Sequence, residues 1–217
     1  MGLDRPAILR QAFEVLNDGG LEGLTLRKLA ARLQVQAPAI YWHFKSKGEL
    51  LDEMGTQVLM ETVAENQDWR EPADWREWAT VYCRRLRKAL LRYRDGAKMA
   101  SGTYLTDTRM YGVMEASLRR LTAAGFSLRQ AVVLMTTLYS YTIGFVIEEQ
   151  ATRSVEGAVH PRYELEDRER RVDRKSHPLA AQAGVEMFTN SDSRFDEGVR
   201  LIVNGAASTL KTVAAPH

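Results

Sequence analysis

Leu24-Thr25-Leu26-Arg27-Lys28-Leu29-Ala30-Ala31-Arg32-Leu33-Gln34-Val35-Gln36-Ala37-Pro38-Ala39-Ile40-Tyr41-Trp42-His43-Phe44 holds two short helical patterns with three residues between them. In the first, Leu26, Leu29, Ala30 and Leu33 recur on one face, and Thr25 is a residue type that caps a helix start with its hydroxyl. Gln34-Val35-Gln36 is the whole connection. The second pattern, Ala37 to Phe44, carries Pro38 in its first turn, where a missing N–H is harmless. Ile40 and Phe44, four apart, share a face and read as packing residues. Tyr41, Trp42 and His43 fall on the remaining sides of the same two turns and read as exposed, beside Lys45 and Lys47. Two short helices joined by a tight turn, the second aromatic and followed by cations, form the pattern of a helix-turn-helix that reads DNA. A major groove about 12 Å wide admits one helix, whose side chains reach base edges while nearby cations and hydroxyls hold phosphates.

Upstream, Ile8, Leu9, Ala12, Phe13 and Leu16 predict a helix from Arg5 to Asn17, with Asp4 as its cap, Pro6 in its first turn and Gly19-Gly20 as its end. Downstream, Ser46 and Glu49 form a capping box that opens a long amphipathic helix from Lys47 towards Glu65. Further helical periodicity covers Trp75 to Tyr93, Asp107 to Ala123, Ser127 to Gln150, Leu179 to Phe188 and Ser193 to Val213, with Gly96, Gly102 and Gly125 as turn signals. No stretch alternates convincingly with period two. The fold class is therefore all-α: an N-terminal three-helix bundle containing the helix-turn-helix, followed by a larger helical domain. Residues 152–175 are dense in both charge signs and poor in apolar anchors, and read as a mobile connecting loop, with a solvent-facing helix as the other reading. Trp69, Trp75 and Trp78 read as packing around a helix start.

The chain has 217 residues and a net charge of only +2. Its distribution is more telling: residues 1–47 carry seven basic side chains against four acidic ones, so the positive surplus sits at the N-terminus. No apolar run approaches the ~18 residues of a membrane span, and the N-terminus does not resemble a secretory signal, so a cytoplasmic protein without a membrane partner is expected. Cys83 is the single cysteine, which excludes an intrachain disulfide and a multi-thiolate zinc site, and it reads as a small buried residue. His43, His160, His177 and His217 sit in the predicted groove-facing helix, in or beside the charged stretch, and at the last residue, so no histidine-centred triad can be assembled. Glu148 and Glu149 are adjacent on a helix and point about 100° apart, so they cannot flank one bond. A Gly-rich phosphate loop is absent. Neither an enzymatic activity nor a cofactor or metal is expected.

Several stretches make the sequence resemble the TetR family of bacterial repressors, and within it the tetracycline-repressor branch. They are Gly23-Leu24-Thr25-x-Arg27-Lys28-Leu29-Ala30, Pro38-x-x-Tyr41-Trp42-His43, Lys45-x-Lys47-x-x-Leu50-Leu51-Asp52, Ala89 to Lys98, and Gly125-Phe126-Ser127-Leu128-Arg129. The resemblance implies a helix-turn-helix DNA-binding domain over 1–47 and a ligand-binding and dimerisation domain over 48–217, with 48–65 as a linker helix. It implies a homodimer on double-stranded, palindromic operator DNA, released by a small-molecule effector. Arg27 and His43 then belong to the DNA-contacting set, with Pro38, Ala39, Tyr41 and Trp42 on the groove-facing helix and Lys47 at a phosphate. Ala37 and Ala39 stand where the branch carries hydrogen-bonding Gln and Thr. Alanine can touch a thymine methyl but can neither donate nor accept, so the operator is expected to differ.

In the sensing half the resemblance places Val63, Tyr82 and Leu86 where the branch has a drug-binding His, Asn and Phe. Ala100 stands where it has the His that binds the drug's magnesium. Of the branch's polar drug contacts, the resemblance finds only Thr103 and Glu148 retained in this chain. Magnesium prefers several oxygen ligands, and this set offers little to it. The lining set Val63, Tyr82, Leu86, Tyr104, Met114, Ser117, Met135, Leu138 and Tyr139 suits a largely apolar or aromatic effector, an antibiotic among the candidates, although any single member fits core packing equally. The alternatives are a magnesium-tetracycline response and a helical carrier or enzyme without DNA binding. The dimer seam is expected in a four-helix bundle of Ser127 to Gln150 and Ser193 to Val213 from each subunit, with Gly198, Gly205, Ala206 and Ala207 allowing close approach.

Overall fold

The computed structural model describes residues 3–64, 74–152 and 163–212. Among these it contains eleven helices and no strand: α1 (Arg5–Gly23), α2 (Leu26–Arg32), α3 (Ala37–His43), α4 (Lys47–Ala64), α5 (Trp75–Leu91), α6 (Gly96–Ala100), α7 (Arg109–Ala123), α8 (Leu128–Thr152), α9 (Leu165–Arg171), α10 (Pro178–Phe188) and α11 (Ser191–Thr212). The caps read from the sequence are in place. Asp4 Oδ1 accepts from Ala7 N at 2.8 Å and Thr25 Oγ1 from Lys28 N at 3.1 Å. Ser46 Oγ accepts from Glu49 N at 3.1 Å, while the Glu49 carboxylate reaches one residue further back than in a simple box, to Lys45 N at 2.7 Å. Between α2 and α3 the chain turns through Gln34 at φ 55°, with Val35 N on Ala30 O and Gln34 N on Ala31 O. That pair of bonds is a Schellman motif, and it sets the angle at which α3 leaves α2.

Ile8, Ala12, Val15, Leu16, Leu24, Leu29, Ile40, Phe44, Leu50, Met54 and Val58 bring α1 to α4 into one core. The same core continues without a break into Leu86, Leu90, Ala97, Ala100, Ile143 and Val146 of α5, α6 and α8. A second core joins α5, α7, α8 and α11 through Trp75, Trp78, Cys83, Leu121, Leu134, Leu138, Phe195 and Val199. Trp75 meets Phe126 edge-on at 4.8 Å, in keeping with the packing expected at this helix start. Trp69 lies outside the described residues. Cys83 is buried, and desolvation pushes its thiol up to about 12.

The turn at 92–95 and the start of α6 clasp the N-terminal helices. Tyr93 lays its ring on Phe13 at 4.3 Å, and its hydroxyl donates to Glu61 on α4 at 2.8 Å, where Arg92 also pairs. Arg94 donates from its backbone to Asn17 Oδ1 and from its guanidinium to Asp18 O, and Asp95 accepts from Leu21 N at 3.0 Å. Gly20 makes this approach possible. It sits at φ 65°, and a Cβ there would stand 2.6 Å from Asp95 Oδ2.

Four sequence expectations need correction. The first helix leaves helical geometry at Gly20 as expected but resumes for a further turn to Gly23. Gly96, read as punctuation, begins α6, whose five residues are too few to show periodicity. The charged stretch is helical in part: 153–162 lie outside the described residues, but Leu165–Arg171 forms α9. Asp167 pairs with Arg170 and Arg171 along α9, and Arg168 donates to Ala180 O on α10 at 2.9 Å, so charge supplies here what apolar anchors do elsewhere. Finally, α8 is long and apolar enough to cross a membrane by length and composition, which run length alone does not register. Its face of Ala131, Leu134, Leu138, Thr142 and Val146 is buried instead against protein.

Between α5, α8 and α11, Arg87 forms two bonds to Glu149 at 2.9 and 2.7 Å and lies over the rings of Phe145 and Phe195. Glu149 retains only 9% side-chain exposure. Removing one partner of such a pair leaves a charge without compensation in a poorly hydrated site. Arg87→Ala is expected to destabilise the fold by about 3 kcal/mol in urea denaturation, and unchanged stability would show that water reaches Glu149 freely.

Candidate functional site

Three surfaces carry chemistry. At the first, burial of Ile40 and Phe44 orients α3 so that Trp42 is 81% exposed and Tyr41 49%. Pro38 is exposed, Ala37, Ala39 and His43 are half-exposed, and Arg27 and Lys28 stand exposed on α2. Lys45 donates to Tyr41 O and lies 5.9 Å from the Trp42 ring. Lys47 is placed differently from a free phosphate-binding cation: its Nζ donates to Leu21 O at 2.6 Å and ties the start of α4 to the end of α1. Arg5 secures the other side of α3. Its guanidinium donates to His43 O at 2.6 Å, pairs with Glu49 and Glu53 on α4 and covers the Phe44 ring at 4.3 Å. Neither Arg5 nor Gln36 was singled out from sequence. Gln36 is exposed directly before α3 and makes no side-chain capping bond.

The second surface lies where the two cores meet. Tyr82 packs against both, stacked on Trp78 at 5.7 Å with the planes 14° apart. Around it are buried Leu86 and Leu138 and half-buried Met135 and Tyr139. The Tyr139 hydroxyl donates to Ala100 O at 3.1 Å, and so does Thr103 Oγ1 at 3.0 Å. Tyr82 has no hydrogen-bond partner among the described residues. Burial pushes both phenols up, so each is a neutral donor at ordinary pH.

Other members of the predicted lining are not brought to this place. Ser117 is buried but spends its hydroxyl on Val113 O, and Val63 is half-buried near the end of α4 outside both cores. Met114 is exposed, as is Glu148, which shares the outer side of α8. Tyr104 is 75% exposed while its backbone is held: its N–H donates to Asp52 Oδ1 at 3.0 Å, and its carbonyl accepts from Thr56 Oγ1. Thr106 N also donates to Thr56 Oγ1, at 3.0 Å. This lacing of 104–106 onto α4 joins residues about fifty positions apart and has no signature in the sequence. For magnesium, the residues present do not fit. Ala100 and Val63 carry no donor, Thr103 is bonded to the backbone, and Glu148 is outside.

The third surface is an exposed one of small and polar residues with Val133 and Leu201 among them. Along α8, Val133, Thr137, Ser140, Gly144 and Glu148 form an exposed stripe at helical spacing, and along α11 so do Leu201, Asn204, Gly205 and Ser208. A Cβ at Gly144 or Gly205 would meet nothing. Gly198, expected among the seam residues, is instead turned inward. A Cβ there would stand 2.0 Å from the Tyr141 hydroxyl, which donates to Phe195 O. Ala206 and Ala207 are likewise partly buried against the second core.

Residues 8–54 match the family of bacterial regulatory proteins designated tetR, and residues 70–210 match the tetracyclin repressor-like C-terminal domain. The tetracycline repressor protein class A from transposon 1721 of Escherichia coli is 38% identical over 97% of this chain and 94% of its own length. A crystal structure of a possible TetR family transcriptional regulator from Streptomyces coelicolor has a TM-score of 0.81 at 31% identity, covering 95% of this chain and 100% of that one. The class A TetR in complex with 5a,6-anhydrotetracycline and magnesium has a TM-score of 0.67 at 32% identity, covering 95% and 99%. The helix-turn-helix at α2 and α3, the helical body that clasps it and the agreement along nearly the whole length lead to one conclusion: the chain belongs to the TetR family of bacterial regulators, with a tetracycline repressor-like C-terminal domain.

Proposed function

We propose that this protein is a ligand-responsive transcriptional repressor that binds a palindromic operator as a homodimer and is released by a largely apolar or aromatic small molecule without magnesium. The observation that carries the DNA-reading part is the outward turn of Tyr41, Trp42 and Pro38 on a helix whose inner face is fully buried, with Arg27 exposed beside it. Two such helices, related by a two-fold axis, read half-sites one helical turn apart. The open stripes on α8 and α11 support the dimer, since Gly144 and Gly205 face outward with nothing against them and leave room for close helix approach. A cytoplasmic regulator rather than an enzyme or a carrier is in keeping with relatives named as repressors.

The effector is assigned to the junction of the two cores, at Tyr82, Leu86, Met135, Leu138 and Tyr139. Its lining is apolar and aromatic with two neutral phenols, which favours a planar ligand held by few hydrogen bonds. Release follows from the lacing of 104–106 to α4. A ligand that displaces Thr103 and Tyr104 pulls on Asp52 and Thr56, and α4 sets the position of α3 through Arg5. The ligand must prefer the spacing that does not fit DNA, and a tenfold loss of operator affinity needs only about 1.4 kcal/mol of such preference. The second reading, a response to tetracycline with magnesium, rests on the class A relative whose complex contains both an anhydrotetracycline and magnesium.

Arg27→Ala and His43→Ala are each expected to weaken operator binding by about 1–3 kcal/mol in gel-shift titrations while leaving the thermal melt in place. Wild-type affinity in both variants would reject this face as the groove-reading surface. Light scattering at micromolar concentration should return twice the chain mass, and a monomer would remove the two-fold arrangement. In a thermal-shift screen of antibiotics and aromatic metabolites, hits are expected to stabilise the protein equally with magnesium and with EDTA, and to release DNA. If tetracycline stabilised the protein strongly with magnesium and EDTA abolished the effect, the metal-free pocket would be wrong and the second reading right.

A further inference from the structure

Across the exposed side of α3 the hydrogen-bonding chemistry is unevenly spread. Ala37, Pro38 and Ala39, at the end that meets base edges in a helix-turn-helix, offer carbon only, which can touch a thymine methyl but cannot tell adenine from guanine by hydrogen bonds. Trp42 is a donor alone, and the Tyr41 hydroxyl and the half-exposed His43 ring lie further along the helix. Arg27 belongs to α2 and matches the two acceptors of guanine. The turn holds two carboxamides with the paired donor and acceptor that adenine requires, Gln34 and Gln36, and Gln36 is the one directly before α3. It is exposed, it forms no side-chain bond to the helix it precedes, and it has no other partner among the described residues. Its backbone is fixed, because its carbonyl accepts from Ala39 N at 2.9 Å and the turn before it is held by the bonds from Val35 and Gln34. Serine, threonine, aspartate or asparagine at this position would give its side chain to capping, and Gln36 does not. Here the backbone is ordered while the amide remains unused.

We infer that Gln36 reads an adenine in each operator half-site, accepting from its N6 amino group and donating to its N7, beside thymine methyls covered by Pro38 and Ala39. This rests on the DNA-reading function above and adds the base that one named side chain specifies. The contact accounts for specificity where the adjacent alanines supply none, and it involves no helix-dipole or phosphate interaction.

The test begins with selection of binding sequences by the full-length protein from a randomised duplex library. The selected half-site should hold an adenine that 7-deazaadenine, lacking only the N7 acceptor, weakens by about tenfold. Gln36→Ala should lose about the same factor on the parent site and show no further loss with 7-deazaadenine, the coupling expected of two groups in direct contact. Gln36→Glu, which can only accept, should shift the preference at that position towards cytosine, whose N4 donates. If Gln36→Ala binds more weakly to every sequence alike, or keeps the adenine preference, the inference is overturned while the function stands, provided Arg27→Ala still relaxes the selected site. If selection enriches no sequence at all, the DNA-reading function falls and this inference with it.

Discussion

The structure depends on α4 being buried along both sides at once. Leu50, Met54 and Val58 have no exposed surface, and they are shared between the small bundle of α1 to α3 and the larger body that begins at α5. Each fully buried aliphatic side chain contributes roughly 1.5–3 kcal/mol. A helix anchored in this way cannot be shifted at one end without a response at the other. The DNA-reading unit is therefore not a bead on a flexible tether. It is an extension of the body's own core.

Polar contacts then determine which movements are cheap. The clasp from Arg92, Tyr93, Arg94 and Asp95 grips α1 and the far half of α4, while the lacing from Tyr104 and Thr106 grips the middle of α4. The lacing consists of a few partly exposed hydrogen bonds, each with a net worth of about 1 kcal/mol. The hydrophobic attachment is far stronger. A ligand with a modest preference can thus rearrange the lacing without unfolding the helix it moves, and the coupling needed for release is of the same order as the bonds that would change.

The chemistry where the two cores meet follows from what desolvation permits. A buried charge needs a partner, as Arg87 and Glu149 show deeper in the same body. Tyr82 and Tyr139 avoid that requirement, since burial keeps both phenols neutral. With alanine at position 100 and no carboxylate among Tyr82, Leu86, Met135, Leu138 and Tyr139, these side chains offer a hard cation no charged ligand.

The sequence by itself determined the helical fold class, the helix-turn-helix and the burial of Ile40 and Phe44 against the exposure of Tyr41 and Trp42, because these rest on local spacing and capping. The family was legible too, since its motifs are contiguous. Of the proposed sensing residues, Tyr82 packs against both cores, Leu86 and Tyr139 belong with the first and Leu138 with the second, whereas Tyr104, Met114 and Glu148 are exposed. Only the tertiary structure decided that division. Tyr104 is bonded to Asp52 through its backbone with its ring exposed, and Gly198 faces Tyr141. Helices α6 and α9 are too short for periodicity to reveal, and the lacing of α4 joins residues about fifty positions apart. Local pattern fixes which face of a helix is apolar, but which neighbour that face meets depends on packing between segments that the sequence keeps far apart.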